Sequence, residues 1–476
     1  MSEPIPERRT KVVATIGPAS RDQEMLVELI RAGADVFRLN FSHGTADEHR
    51  ETIARIRTAS ERTGKWVGIL GDLPGPKLRL DEVESGVVLV RSGTELTLTT
   101  RECIGTAELL PVSFDGLPSA VEVGDPIFLA DGRVRLRAIA IGEVEVVCEV
   151  ETSGSVSSHQ GVNLPGAVTG MPAAGPADMD WVDFAVDEEV DLLAVSFVRT
   201  AEDLVPINER IRARGADIPL IAKIEKPQAL EGTEAILDQA TSGIMVARGD
   251  LGIELPIESM PSTQKRLIRL AGSRSKPVIT ATQMLASMVH SDRPTRAEVT
   301  DVANAIYDGT DAVMLSEETA VGDHPLEAVQ MMDRIAQQTE LDLPYENWLL
   351  GRVDAPDDDV AAAVAQGAVA STYRLGLRAI MVPTSSGRTA RLVSSLRPRV
   401  PVVAISPRKE TVRRLNLLFG VRCVFHSDWG DLRALLDDSA SIARELGVAE
   451  KGELVAITAG LPEQGLGTNL FEIHRV

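Results

Sequence analysis

Eight short runs of β-branched and apolar residues recur along the first two-thirds of the chain. They lie at Lys11–Thr15, Asp35–Leu39, Trp66–Leu70, Leu192–Ser196, Pro219–Ile224, Gly243–Ala247, Pro277–Thr280 and Ala312–Leu315. Between them apolar residues return at the helical period. Near-continuous apolar runs of this length are the pattern of strands covered on both faces, as in parallel sheets. Eight strands alternating with helices predict a closed parallel barrel, a TIM barrel in the α/β class. Charged or hydroxyl residues stand at or just past most run ends: Arg38, Asp72, Lys223, Glu225, Asp250, Thr282 and Ser316. The chemistry of such barrels lies at the C-terminal strand ends. The register of these polar residues therefore locates an active site before any motif is named.

The alternation is interrupted once. After the third run the next does not begin until Leu192, and the residues between read as alternating strands. VVLVRSG, ELTLTT, DPIFLADGRVRLRAIAI and EVEVVCEVE are joined by turns at Asp131-Gly132 and Gly142-Glu143. This predicts a small all-β domain, a β-barrel lid over residues 73–171, inserted between barrel segments 1–72 and 172–345. Residues 341–359 read as a linker, and a new strand–helix alternation starts at Val360. It predicts an open α/β sheet domain within 346–476, with strands Ala379–Val382, Val402–Ile405, Val421–Phe425 and Glu453–Ile457.

Bulk properties narrow the chemistry. The 476 residues carry a net charge of −21 and only 3% aromatic residues, which argues against nucleic acid and anionic membranes as partners. No apolar stretch approaches the roughly 20 residues that span a bilayer. The opening MSEPIPERRTK has no apolar signal core, and three cysteines form no CxxC pair. A reducing cytoplasm is the expected compartment. A protein this acidic repels anionic metabolites, so a phosphate or carboxylate substrate requires a local cationic cluster.

Such a cluster is legible. Lys223 and Glu225 alternate along one strand and share its inward side. Asp250 follows the next strand, in Ala247-Arg248-Gly249-Asp250-Leu251-Gly252. Two hard carboxylates on adjacent strands, with room for water and substrate, suit magnesium better than zinc. Arg38, Asn40 and Ser42 alternate in the same direction, although Asn40 and Ser42 also read as helix caps. Gly71-Asp72-Leu73-Pro74-Gly75-Pro76-Lys77-Leu78-Arg79 is a stiff turn into the insert, with the character of a hinge. Thr282 has a second reading as plain β-propensity.

In order along the chain come TIGPAS, RLNFSHG, GPKLR, GVNLPG, SFVR, KIE, ARGDLG, TQML, PTRAEVTDVANA and ETAVGDHP. This series resembles the pyruvate kinases over essentially the whole chain. The resemblance implies an ATP:pyruvate 2-O-phosphotransferase of glycolysis, with phosphoenolpyruvate, ADP, ATP and pyruvate as reactants. It implies that Glu225 and Asp250 hold magnesium, with manganese as an alternative. Lys223 and Arg38 would act on the phosphoryl group, Gly249 and Asp250 on the substrate carboxylate, and Thr282 beside the carbon that gains a proton. Asn40, His43 and Arg79 would approach the nucleotide phosphates.

Potassium-dependent members carry Glu where this chain has Lys77, and bind the ion through residues matching Asn40, Ser42, Asp72 and the carbonyl of Leu73. A lysine ammonium there could replace the ion electrostatically, so the expectation is a potassium-independent enzyme. Gln160 replaces a lysine common before GVNLP, and Ala174-Gly175-Pro176-Ala177-Asp178 replaces TEKD, which bears on nucleotide preference. Glu317 stands where a small residue is usual. In the C-terminal domain, Thr384, Ser385, Ser386, Gly387, Arg388 and Thr389 form a hydroxyl-rich turn before a helix, a phosphate cradle or an ordinary cap. In the family this turn takes an effector phosphate, under a terminal loop matching Leu461–Asn469. The family assembly is a homotetramer. Two other functions fit parts of the pattern: a magnesium barrel doing carbon–carbon chemistry on phosphoenolpyruvate, and a catalytically silent metabolite sensor.

Overall fold

The computed structural model describes residues 8–130, 132–167, 170–239, 241–351, 359–427, 431–460 and 467–476. Asp131 of the expected turn, residues 352–358 of the linker and residues 461–466 of the terminal loop lie outside them.

Eight parallel strands close a barrel in sequence order: Lys11–Ile16, Val36–Asn40, Gly68–Asp72, Leu192–Val198, Leu220–Ile224, Gly243–Ala247, Val278–Ala281 and Ala312–Leu315. We number them barrel strands 1 to 8. Strands 1, 3, 6, 7 and 8 are buried at every position, hence their unbroken apolar runs. Strand 3 ends two residues later than the apolar run predicts, because buried Asp72 continues the ladder opposite Asn40. Strand 4 likewise runs on past Ser196, through a bulge.

The insert forms a six-stranded sheet and a separate two-stranded pair around its own core, which includes Leu80, Leu96, Leu136 and Val150. Its hinge is held by Asp178. One carboxylate oxygen accepts from Gly75 N–H at 2.9 Å and the other from Gly175 N–H at 2.8 Å. The C-terminal sheet has five strands. The last, Leu470–Arg475, adds antiparallel to Leu454–Ala459 and was not foreseen. Its half-buried positions show no clean two-residue alternation to mark it as a strand. Part of the expected linker is helix, Tyr345–Gly351.

The C-terminal domain stops the bottom of the barrel, at the N-terminal strand ends. The helix Lys409–Arg414 tightens at its end into a 3₁₀ turn, Leu415–Leu417. Leu417 then joins Val13, Val36, Leu70 and Met245 inside the barrel. Around this plug three carboxylates close the lower rim, Asp191 and Asp311 buried and Asp35 half-buried. Asp35, Asp191 and Asp311 accept from the N–H groups of Val12, Ile69 and Val278 at 2.8, 2.8 and 3.0 Å. The same acids bind cations. Arg413 Nε meets Asp191 at 2.6 Å, and Arg397 grips Asp311 through two contacts of 2.8 and 2.9 Å. The Arg397 side chain is 2% exposed and its guanidinium lies 4.5 Å from the centre of the Phe419 ring.

Breaking one partner of a buried ion pair strands the other, at a cost of about 3–5 kcal/mol, whereas replacing both costs far less. Arg397→Met is expected to lower stability in urea denaturation by about that amount. Arg397→Met with Asp311→Asn should recover most of the loss. Equal losses in the single and double variants would show that Asp311 is not left uncompensated.

Candidate active site

Barrel strands 2 to 5 converge on one buried carboxylate. Arg38 Nε and Nη2 both reach Asp72 Oδ2 at 2.6 Å, while Nη1 donates to Thr15 Oγ1 at 3.2 Å. The other oxygen, Oδ1, lies 3.2 Å from Lys223 Nζ. Lys223 Nζ also donates to Ser196 Oγ at 2.8 Å and pairs with Glu225 Oε1 at 3.0 Å. Glu225 Oε2 accepts from Phe197 N–H at 2.7 Å. Asp72 and Glu225 are each 1% exposed, while the Arg38 and Lys223 side chains retain 11% and 12%. The acids thus form the floor, and the cations stand above them.

The Phe197 contact depends on a local irregularity. The register against strand 5 slips between Val195 and Val198, and Phe197 takes φ +55°. An aromatic residue in that region is strained. The bulge redirects the N–H from the ladder onto Glu225, as bulges beside functional sites do.

Charge coupling orders the protons. Burial alone would raise Asp72, but Lys223 and Arg38 outweigh it and hold the carboxyl below its ordinary range. Burial would depress Lys223, but Asp72 and Glu225 outweigh it and raise the ammonium. Burial raises Glu225, and the charge of Asp250 adds to this against Lys223 and the Phe197 N–H. Lys223 is therefore a fixed positive charge. The charge of Asp250 acts on Glu225, and a cation between the two carboxylates would offset it.

Those two oxygen donors fit a magnesium-type ion that keeps water and substrate among its ligands. Among the described residues no cluster of three or more His, Cys, Asp or Glu forms an all-protein metal cage.

Just past the end of strand 7 the backbone is held under strain. Asp250 and Gly249 lie in the first turn of the helix Arg248–Glu254. Thr282 and Gln283 both have positive φ, +67° and +53°. For β-branched Thr282 this costs about 1–3 kcal/mol and persists only where the surroundings impose it. They do. Arg248 donates to the carbonyls of Thr282 at 2.8 Å and Ala281 at 3.2 Å, and is backed by Asp301 at 2.7 Å. Thr282 Oγ1 accepts from Gly249 N–H at 2.7 Å and donates to the Ala281 carbonyl at 2.7 Å. The Gly249 N–H expected to bind a substrate carboxylate is thus engaged here by Thr282.

Around the hinge, Asn40 Oδ1 accepts from Ser42 N–H at 3.2 Å, and the Leu73 carbonyl accepts from Ser196 Oγ at 2.7 Å. The Lys77 stem passes along Gly161 of the insert, where a Cβ would come within 2.8 Å of its Cε. Burial lowers His43, and Arg79, Arg38 and Lys77 lower it further, so these cations surround one imidazole. Arg79 donates to the His159 carbonyl at 3.0 Å, and Gln160 accepts from Ser157 N–H at 2.8 Å. Glu317 is exposed at the start of the short helix Glu317–Ala320.

In the C-terminal domain, Gly387 has φ +80°, and its N–H donates to Thr384 Oγ1 at 3.0 Å. Ser386 Oγ accepts from Arg388 N–H at 3.5 Å, and Ser385 O accepts from Thr411 at 2.9 Å. Thr389 meets Thr468 at 2.5 Å, and Arg388 reaches Asp359 at 2.6 Å.

Sequence reading did not single out Ser196, the Phe197 N–H or Arg248. Ser196 ends the fourth apolar run, a position that could have marked it. The bulge and the path of Arg248 have no local signature.

The chain matches the family description "Pyruvate kinase, barrel domain" over residues 7–329 and "Pyruvate kinase, alpha/beta domain" over residues 362–474. A pyruvate kinase of Bacillus licheniformis is 41% identical over 472 residues, covering 98% of this chain and 80% of that protein. One from Geobacillus stearothermophilus is 42% identical with the same coverage. The crystal structure of a pyruvate kinase from Cryptosporidium parvum superposes with a TM-score of 0.94 at 35% identity, covering 99% of this chain and 97% of that one. No helix among the described residues is long and apolar enough to cross a membrane. With a closed barrel, an α/β C-terminal domain and relatives of one name that match nearly the whole chain, the chain belongs to the pyruvate kinase family of phosphotransferases.

Proposed function

We propose that this chain is a cytoplasmic pyruvate kinase that moves the phosphoryl group of phosphoenolpyruvate to ADP, independently of potassium and under control of a phosphorylated effector. The observation that carries the site assignment is the Lys223 ammonium, fixed between Asp72 and Glu225 beside Arg38. It answers the need for a cationic pocket in a chain of net charge −21.

In this reading Lys223 and Arg38 bear on the phosphoryl oxygens. Their charge is pre-oriented by Asp72 and Ser196, so little reorganisation accompanies transfer. The phosphorus–enol oxygen bond breaks as a bond to the terminal ADP oxygen forms. A divalent ion held by Glu225 and Asp250 supplies further charge neutralisation when bound. The substrate carboxylate takes the Gly249 N–H from Thr282 Oγ1. The freed hydroxyl is then able to orient the water that delivers a proton to the enolate methylene, giving pyruvate. His43, Asn40 and Arg79 face the nucleotide, beneath an insert that acts as a lid on the Pro74–Pro76 hinge.

Lys77 supports potassium independence, since its charge already acts on the His43 region. The Thr384–Thr389 turn supports an effector phosphate site, and Thr468 of the terminal segment already touches it. A homotetramer is the assembly that the family relationship favours.

A lactate-dehydrogenase-coupled assay with phosphoenolpyruvate and ADP tests the activity. Wild type should turn over, and Lys223→Met should lose at least about 100-fold in kcat while still unfolding cooperatively above the assay temperature. Retained turnover would remove Lys223 from the mechanism. In the same assay, wild type should show full activity without monovalent cations, and Lys77→Glu should become potassium-requiring. An absolute potassium requirement in wild type would contradict the role given to Lys77.

A further inference from the structure

A further carboxylate stands between the insert and the elements that bear Glu225 and Asp250. Glu254 closes the helix Arg248–Glu254, four residues after Asp250. That spacing puts the two side chains on one side of the helix. The Glu254 side chain is 1% exposed, and its two oxygens serve different donors. Oε1 accepts from Lys226 Nζ at 2.5 Å, and Oε2 accepts from the N–H of Gly166, in the insert, at 3.2 Å.

Each donor leads to another part of the site. Lys226 directly follows Glu225, and its ammonium lies 5.9 Å from the centre of the Phe197 ring. Phe197 is the residue whose N–H holds Glu225 Oε2. The Lys226–Glu254 pair therefore ties the segment bearing Glu225 to the helix bearing Asp250. Gly166 brings in the insert, which meets the same helix a second time. A Cβ at Gly132 would stand 3.7 Å from Ile253 Cγ1. Because the carboxylate is out of water, this is not the weak ion pair of a surface. Loss of either donor leaves a buried charge less well compensated.

We infer that Glu254 is a positioning residue, which sets the separation of Glu225 and Asp250 and makes it depend on contact with the lid. The inference rests on the reading of those two acids as the carboxylates for a divalent ion. With the insert seated, both oxygens of Glu254 are satisfied and the clamp across strands 5 and 6 is rigid. When the insert lifts, a buried carboxylate loses one of its two donors and is free to turn, and Lys226 turns with it. The ion is then held most tightly when the mouth is covered. By reciprocity, the ion favours the covered mouth.

The test is manganese binding to the full chain without substrates, read by electron paramagnetic resonance. Lys226→Met is the decisive variant, because charge alone and positioning predict opposite signs. Removing a cation near the ion should tighten binding by charge, whereas loss of the clamp should weaken it by at least about threefold. Glu254→Gln should weaken it by about tenfold, and the double variant should lose far less than the product of the two. A second measurement needs no variant to fold. In wild type, saturating manganese should slow hydrogen exchange of the peptide holding Gly166 by at least about threefold, read by mass spectrometry. Tighter or unchanged manganese binding in Lys226→Met overturns the inference, as does exchange at Gly166 that ignores manganese. If wild type binds no manganese, or Glu225→Gln binds it as well as wild type, the reading of the ion site fails first and takes the inference with it.

Discussion

The site depends on Asp72, a carboxylate with almost no access to water that must satisfy two cations at once. One oxygen holds Arg38 and the other faces Lys223. A buried acid with a single cationic partner would fix that cation and leave the other to its own rotamers. Sharing fixes their separation, and Ser196 sets the direction of the ammonium. Two cations above a buried acid also explain how a strongly acidic chain can receive a highly charged anion. The local field at the barrel mouth is set within a few ångströms, where the surface charge of the protein counts for little.

The two ends of the barrel follow one logic with different outcomes. At the lower rim Asp35, Asp191 and Asp311 each accept a strand N–H and also bind a cation, and the last two join the barrel to the C-terminal domain through Arg413 and Arg397. At the upper rim Asp72 and Glu225 leave their cations partly exposed. Strand 3 carries both arrangements, with Ile69 N–H on Asp191 below and Asp72 above. The lower contacts tie one domain to the other, as befits a joint. The upper ones keep donors facing the mouth, as a binding site requires. The mouth also carries backbone strain, at Phe197 and Thr282, where Glu225 and Arg248 hold it in place.

Much of this was legible in the chain. Strands buried on both faces announce themselves as unbroken apolar runs, so all eight barrel strands were found to within a few residues. The two-residue period placed Lys223 and Glu225 on one side, as the structure has them. What was missed depended on non-local contacts. Asp72 looked like a residue beyond its strand because a buried acid is tolerated there only with Arg38 and Lys223, which come from other strands. Nothing near Phe197 signals a bulge, since its cause is a carboxylate on the neighbouring strand. Arg397 sits in a sequence that reads as a surface loop, yet it is among the most buried large side chains of the protein. The edge strand Leu470–Arg475 has too little buried face to mark it.

The claim at the centre of this account is that Asp72 acts by positioning two cations, and one variant isolates it. Asp72→Asn keeps the shape and removes the charge. In the coupled assay with phosphoenolpyruvate and ADP, kcat should fall at least about 100-fold, with the urea midpoint moved by far less than loss of folding would require. The Michaelis constant for phosphoenolpyruvate should rise less than kcat falls, because orientation during transfer is lost more than initial attraction. Wild-type kcat in the asparagine variant would contradict the account.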